Sequence, residues 1–224
     1  MKNTESTENY LKSIFKLQTV DKKVSTTDLA DYMGVRAASV TGMLKKLARK
    51  KLVSYQPYKG VTLTHIGRKL ALKTLRTHRL IELFLVEHLG LSWEEVHGEA
   101  EKWEHVISGK IEERIDKLLG YPLHDPHGSP IPSANGELKI KDTVRLDRVQ
   151  EGESGTIEEV PDEDPEFLAY LGENDIIPGN KIKVLEKSVV GKTLKIQITS
   201  KKHTIGLKAA EKIRVHQPKD KGRK

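Results

Sequence analysis

Two helices joined by a tight turn are predicted by Ser25-Thr-Thr-Asp-Leu-Ala-Asp-Tyr-Met-Gly34 and the following Arg36-Ala-Ala-Ser-Val-Thr-Gly-Met-Leu-Lys-Lys-Leu-Ala-Arg-Lys50. Ser25 or Thr26 can cap the first helix, and Gly34 ends it because glycine readily adopts the left-handed conformation. The second helix has an apolar stripe that is expected to face inward, formed by Val40, Met43, Leu44 and Leu47. The pair is a helix-turn-helix, the unit whose second helix enters the major groove of DNA.

The outer face of this second helix is basic and carries short side chains, at Arg36, Ser39, Thr41, Lys45 and Lys46. A helix from Thr7 to Leu17 precedes the pair, and residues 52–64 follow it with two β-prone segments around a Pro/Lys/Gly turn. Such a turn is typical of a winged hairpin. We therefore expect a winged-helix DNA-binding domain over residues 1–65; the alternative is a helical domain that binds protein.

The positive charge of the chain is concentrated at this end. The net charge is +7, and residues 1–65 carry 12 Lys and Arg against 5 Asp and Glu, which suits a polyanion-binding domain. There is no cysteine, so any metal must be held by nitrogen and oxygen. No apolar run approaches the length of a membrane span, and the polar N-terminus does not look like a secretory signal. We expect a cytoplasmic protein that makes no membrane contact.

The middle of the chain carries imidazoles and carboxylates at helical spacing. In a helix over His97-Gly-Glu-Ala-Glu-Lys-Trp-Glu-His105, the two histidines, Glu101 and Glu104 would share one face. Upstream, His78 and Glu82 are again four residues apart. Facing helices can bring such half-sites together, and this donor set suits Mn(II), Fe(II), Co(II), Ni(II) or Zn(II). The alternative is a solvated polar face stabilised by pairs one turn apart.

Three segments complete the predicted organisation. Residues 66–132 form a helical metal-binding and dimerisation domain, because their helices expose more apolar length than a small monomer needs. A linker at residues 133–140 leads to an SH3-like β barrel at residues 141–217, and residues 218–224 form a basic tail. The predicted fold class is multidomain α+β, with an N-terminal winged helix-turn-helix, a helical dimerisation domain and a C-terminal SH3-like β barrel.

The helical domain ends in a connector rich in proline and glycine, residues 121–133. It contains His124 and His127. Crowding by proline and glycine is typical of a rigid loop, so we expect these two histidines to be structural and not to bind metal.

Several motifs together resemble one family of regulators. They are Ser6-Thr-Glu-Asn-Tyr-Leu11, Val40-Thr41, Thr77-His-Arg-Leu80, Val96-His-Gly-Glu-Ala100 with Trp103-Glu-His-Val106, and His127-Gly-Ser-Pro-Ile-Pro132. In them the chain resembles the diphtheria-toxin-repressor and manganese-transport-regulator family of metal-dependent repressors, in its long form with an SH3-like (FeoA-like) third domain. The resemblance implies a homodimer that binds double-stranded operator DNA, with metal as corepressor and no enzymatic step.

The resemblance also implies two metal sites per subunit. Site one would comprise His78, Glu82, His97, Glu163 and Glu166, the last two from the third domain. Site two would comprise Asn9, Glu101, Glu104 and His105. In the iron-type pattern, cysteine occupies the position of Glu101 and methionine occupies the position of Asn9. Manganese-type members usually have aspartate at the position of Asn9. The hard oxygen of Glu101 favours Mn(II) over Fe(II), whereas Asn9 offers only a neutral carbonyl.

In the implied mechanism, metal at site two would fix the first helix in place. The fixed helix would in turn set the spacing between the two recognition helices of the dimer. Base edges or sugars should then meet Arg36, Ala38, Ser39 and Thr41, and phosphates should meet Lys45, Lys46 and Lys59. Two alternatives stay open. One is a winged-helix regulator of a non-metal ligand; the other is a metallohydrolase, which the absence of a His-Glu-x-x-His run disfavours.

Overall fold

The computed structural model describes residues 4–18 and 23–217. The chain forms two compact units. The first unit contains the described residues up to His78, together with Lys102–Glu112 and Pro132–Leu138. The second unit contains Arg79–Glu101, Glu113–Ile131 and the described residues from Lys139 onward. The predicted basic tail, residues 218–224, lies outside the described residues.

The first unit contains the predicted winged helix. Its helices are α1 (Glu5–Leu17), α2 (Thr26–Met33) and α3 (Ala37–Arg49), followed by the antiparallel hairpin of β1 (Val53–Gln56) and β2 (Gly60–Leu63). Helix α1 begins earlier than predicted, because Thr4 and not Thr7 caps it. Ser25 caps α2, and Gly34 ends it at φ +63°, as glycine at this position predicts.

The core of the winged helix is formed by the apolar stripes of its helices and by the hairpin. Leu11 and Ile14 of α1 are fully buried there with Leu29 of α2 and Val61 of β2. The inward face of α3 is the predicted one: Val40, Leu44 and Leu47 are fully buried, and Met43 packs against them. Since α3 is held through this face, its other face is left to solvent.

Three helices make up the middle of the chain: α4 (His65–Leu89), α5 (Val96–Trp103) and α6 (Gly109–Leu118). Helix α5 is shorter than the predicted helix from His97 to His105. It ends at Trp103, so Glu104 and His105 lie in the turn that follows. The four residues therefore do not form one continuous helical row.

The second unit contains an antiparallel sheet of β3 (Val144–Arg145), β4 (Ser154–Glu159), β5 (Lys181–Ser188), β6 (Thr193–Ile198), β7 (Lys201–Gly206) and β8 (Arg214–His216). The hydrogen-bonded order is β3-β8-β4-β5-β6-β7. Two short helices, α7 (Pro165–Glu173) and α8 (Leu207–Ala210), join strands of this sheet. The described part of the chain has no helix with the length and apolar character of a membrane span.

Candidate metal centre

The second unit brings two carboxylates and an imidazole together. His97 Nδ1 lies 3.1 Å from Glu82 Oε1 and 3.7 Å from Asp162 Oδ2. One donor atom of each of these residues lies within 4.8 Å of the other two. Glu82 is fully buried, and Asp162 is nearly so. Two anionic oxygens and a nitrogen in a buried cluster fit a divalent transition metal.

Asp162 is the member of this cluster that the sequence analysis missed. It lies in the acidic turn before α7, beside the predicted ligand Glu163, and it is buried whereas Glu163 and Glu166 are exposed. Their assignment to site one stays a prediction. His78 precedes Glu82 by one turn of α4, which agrees with the spacing used for the prediction.

In the first unit, the buried carboxylate of Glu104 lies close to Lys12, His78 and His105. Lys12 Nζ lies 2.6 Å from one carboxylate oxygen and 2.8 Å from the other, and His78 Nδ1 lies 2.6 Å from Oε2. Burial opposes ionisation of Glu104, but the hydrogen bond from His78 and the charges of His78 and Lys12 outweigh it, so the pKa of Glu104 falls below its usual range. Glu104 is therefore a buried carboxylate already paired with a lysine.

His105 lies beside Glu104 and contacts α1. Its Nδ1 is 2.7 Å from Glu8 Oε2, and its Nε2 is 2.7 Å from Asn9 Oδ1 and 3.1 Å from Glu104 Oε1. Three predicted members of site two, Asn9, Glu104 and His105, are thus neighbours, and Glu8 is an addition that sequence reasoning did not find. These oxygen and nitrogen donors fit a divalent metal once Glu104 is released from Lys12.

The fourth predicted member of site two, Glu101, belongs to the second unit. Its side chain is 54% exposed, and its Oε1 is 3.8 Å from His97 Nε2 one turn earlier on α5. Its place in site two stays a prediction.

The connector after α6 contains a further buried carboxylate, Asp125. Burial, followed by the charge of Glu82, raises the pKa of Asp125 well above its usual range, although Arg79 opposes this shift. The nearby His127 is fully buried. Both residues lie in the segment that was expected to be a structural loop.

Three family models match consecutive parts of the chain. The model for the iron dependent repressor N-terminal DNA binding domain matches residues 2–61, and the model for the iron dependent repressor metal binding and dimerisation domain matches residues 64–133. The FeoA domain matches residues 144–217.

Similarity to individual proteins extends over most of the chain. The iron-dependent repressor IdeR of Mycobacterium leprae is 28% identical over 202 residues, which are 85% of this chain and 87% of that protein. The diphtheria toxin repressor of Corynebacterium jeikeium is 29% identical over 180 residues, covering 77% and 75%. A solved structure of a manganese-dependent transcriptional repressor in complex with manganese has a TM-score of 0.89, 37% identity, and coverage of 95% of this chain and 100% of that one. The chain belongs to the diphtheria toxin repressor family.

As a member of the diphtheria toxin repressor family, the chain is a metal-dependent transcriptional repressor and not an enzyme. This confirms the predicted family and excludes the metallohydrolase. The predicted fold class is also confirmed, with a winged helix, a helical dimerisation domain and an SH3-like third domain. In the third domain, the described residues form an open sheet with β3 and β7 at its ends, not a fully closed barrel.

The DNA-binding domain of this repressor leaves the predicted DNA-contact residues accessible. Those exposed on and before α3 are Arg36, Ala38, Ser39, Lys45 and Lys46, and Lys59 is exposed in the turn between β1 and β2. Thr41 is half-buried, and its hydroxyl donates to the carbonyl of Ala37 at 3.0 Å. Their contacts with DNA stay predictions.

The dimerisation domain of this repressor exposes large apolar side chains. Ile111 and Leu118, seven residues apart on α6, are 49% and 59% exposed, and Val106 before the helix is 75% exposed. Ile115 is buried, so the apolar side chains of α6 are only partly covered within one chain. This accessible apolar length is what a dimer interface requires.

Proposed function

We propose that the chain represses genes of metal-ion homeostasis by binding operator DNA as a homodimer in the cytoplasm, with Mn(II) preferred over Fe(II) as corepressor. The observation that carries the proposal is the double role of α1. Leu11 and Ile14 of α1 are buried in the core that also holds α3, while Glu8 and Asn9 of the same helix contact His105. A rearrangement at His105 would therefore reach the core that α1 shares with the recognition helix α3.

The preference for Mn(II) rests on the donors of site two. Glu101, Glu104 and the carbonyl of Asn9 are hard oxygen ligands, and Glu8 adds a further anionic oxygen at His105. Oxygen-rich sites suit Mn(II), whereas a thiolate would favour softer ions. Zn(II) binds most unconstrained nitrogen and oxygen sites more tightly than Mn(II), so selectivity must come from the number of ligands that act together. A tetrahedral ion has no need of the weak carbonyl of Asn9, and it would fix α1 less firmly.

Site one is proposed to use His78, Glu82 and His97, with Asp162 as an additional ligand beside the predicted Glu163 and Glu166. A bound divalent ion supplies the positive charge that offsets repulsion between the carboxylates of Glu82 and Asp162. Both carboxylates are buried, so this repulsion is poorly screened by water.

Lys12 acts as an internal competitor at site two. Its ammonium neutralises Glu104 through contacts to both oxygens, and for Glu104 to serve as a ligand Lys12 must leave at least one of them. Lys12 is one turn of α1 from Glu8 and Asn9, so its release and the recruitment of Asn9 involve the same helix. This arrangement couples occupancy of site two to the position of α1.

The proposed DNA contacts fall into two groups, one that reaches the base edges and one that binds the phosphates. Arg36, Ala38, Ser39 and Thr41 surround the N-terminal end of α3, the part of a recognition helix that reaches base edges. Lys45, Lys46 and Lys59 are exposed cations suited to phosphates.

The test is operator binding as a function of metal. Duplexes are first selected from a random pool with Mn(II), and the affinity of the full chain for a selected duplex is then measured with Mn(II), Fe(II) under anaerobic conditions, Zn(II) or chelator. We expect Mn(II) to give the tightest binding and chelator to weaken it by roughly 5- to 150-fold, the usual range of coupling between two sites. Asn9→Asp should strengthen the Mn(II) response, and Glu101→Cys should shift the response toward softer ions.

His105→Ala should abolish the metal response, and His88→Ala is its control because His88 is exposed on α4. Equal affinity in chelator and in Mn(II) would contradict metal control of DNA binding. A stronger response to Fe(II) than to Mn(II) would contradict the metal preference alone. Saturable Mn(II) binding that is lost in His78→Ala and His105→Ala would exclude a regulator that senses only a non-metal ligand.

A further inference from the structure

A second buried cluster of metal-ligand type lies beside site one. One donor atom from each of Glu82, Asp125 and His127 lies within 4.8 Å of the other two, and all three residues are buried. Asp125 and His127 come from the connector after α6 and belong to the same unit as Glu82. The three residues thus offer two carboxylates and an imidazole in a place that neither predicted site includes.

The hydrogen bonding of His127 identifies the nitrogen that is available to a ligand. His127 Nε2 lies 2.7 Å from the backbone carbonyl oxygen of Trp93. A carbonyl only accepts, so Nε2 carries the hydrogen and Nδ1 of the neutral ring presents a lone pair. Nδ1 is buried and has no hydrogen-bond partner among the described residues. Histidines that bind metal have this arrangement, with the second nitrogen donating to a carbonyl or a carboxylate.

The charges around the cluster favour a cation. Asp125 feels the charges of Glu82 and Asp162, and the cation that faces it in the described structure is Arg79, whose Nε lies 3.4 Å from Asp125 Oδ2. Arg79 also donates through Nη1 to the carbonyl of Pro130. Three acidic side chains therefore meet in this buried place, and a divalent cation bound there would favour their ionised form.

We propose that Glu82, Asp125 and His127 form a further metal site, which binds a divalent first-row transition metal and shares Glu82 with site one. A carboxylate has two oxygens, so Glu82 can offer one oxygen to each ion. Because a divalent ion at site one repels a second divalent ion bound to the same carboxylate, the ion at the further site binds more weakly than the ion at site one. His127 is then a ligand, contrary to the expectation of a purely structural loop histidine.

The experiment counts ions on the full chain. Chelator-stripped protein is dialysed against increasing Mn(II), and bound Mn(II) per chain is measured by elemental analysis. His127→Phe keeps a ring to pack against Trp93 but removes the ligand, and Asp125→Asn removes an anionic oxygen. Each variant should bind one Mn(II) fewer than the wild type at saturation, and the missing ion should be the weaker one. The matched control is His124→Phe on the same connector, which should bind as many ions as the wild type.

Unfolding in urea with chelator shows whether each variant is folded. His127→Gln provides a second test, because its amide can still donate to Trp93 while the imidazole is gone. The proposal is overturned if His127→Phe and His127→Gln bind as many ions as the wild type. This holds whether or not their affinity at site one has changed. The test of this site is independent of the proposed function of site two. When His127→Phe is added to His105→Ala, which removes site two, we still expect the loss of one further ion.

Discussion

Replacing Lys12 by methionine removes the ammonium from Glu104 and keeps a long apolar side chain. Lys12 Nζ lies 2.6 and 2.8 Å from the two oxygens of Glu104, and the two side chains are 6% and 0% exposed. Removal of one partner from a buried ion pair costs about 3–5 kcal/mol, because the remaining charge is left uncompensated. His78 still donates to Glu104, so we expect a loss near the lower limit, ~3 kcal/mol, in the free energy of unfolding measured in chelator.

The same free energy should reappear as tighter metal binding, because Glu104 no longer has to be released from Lys12. A gain of ~3 kcal/mol corresponds to a Kd for Mn(II) roughly 100-fold lower. The two quantities are measured by urea unfolding in chelator and by calorimetric titration of the chelator-stripped chain with Mn(II). Lys110→Met, at an exposed position of α6, is the control and should change neither. If Lys12→Met destabilises the protein in chelator but leaves the Mn(II) Kd unchanged, Lys12 stays on Glu104 when metal binds and the reasoning is refuted.

Other predictions concern the DNA-binding face and the third domain. Lys45→Ala should weaken DNA binding similarly for all sequences and lower the slope of log affinity against log salt by about one, measured by fluorescence anisotropy; an unchanged slope would show that Lys45 contacts no phosphate. Gly128→Ala should destabilise the chain in urea by about 3 kcal/mol or more, since Gly128 has φ +86° and an added Cβ would lie 1.8 Å from the carbonyl oxygen of Glu158. Asp147→Asn should lower the unfolding temperature at neutral pH. The hydrogen bond from Arg145 holds the pKa of Asp147 below its usual 3.8. The difference in unfolding temperature between variant and wild type should therefore be complete above pH 3.8 and should disappear as the pH falls through the lowered pKa. A difference that persists in acid would contradict the ion pair as its cause.

The parts of the fold that follow from local rules could be predicted from the sequence. Gly34 ends α2 because its backbone adopts φ +63°, and the stripe of Val40, Leu44 and Leu47 is buried as helical spacing requires. Strand β7 could not be recognised in the same way. Its only buried apolar residue is Ile205, and the hairpin turn before it contains Thr199 at φ +54° where glycine or asparagine would have signalled a turn. Pairing with β6 makes this segment a strand.

The candidate site shows the same division between local and tertiary information. His78 and Glu82 are four residues apart, as are His97 and Glu101, and this local spacing is what predicts them as ligands from the sequence. Asp162 could not be distinguished from its acidic neighbours by spacing, because its burial depends on how the turn before α7 is placed within the second unit. A further departure from the sequence prediction, the end of α5 at Trp103, moves Glu104 and His105 out of the helical row into a turn.

That departure has a functional consequence at α1. In a continuous helix, Glu104 and His105 would have formed one row with Glu101, whereas in the turn they face Lys12 and Asn9 across the first unit. Leu11 and Ile14 of α1 belong to the same apolar core as the buried residues of α3, and a close-packed core tolerates little deformation. We therefore expect that exchange of Lys12 for a metal at Glu104 is transmitted to the recognition helix through this shared core.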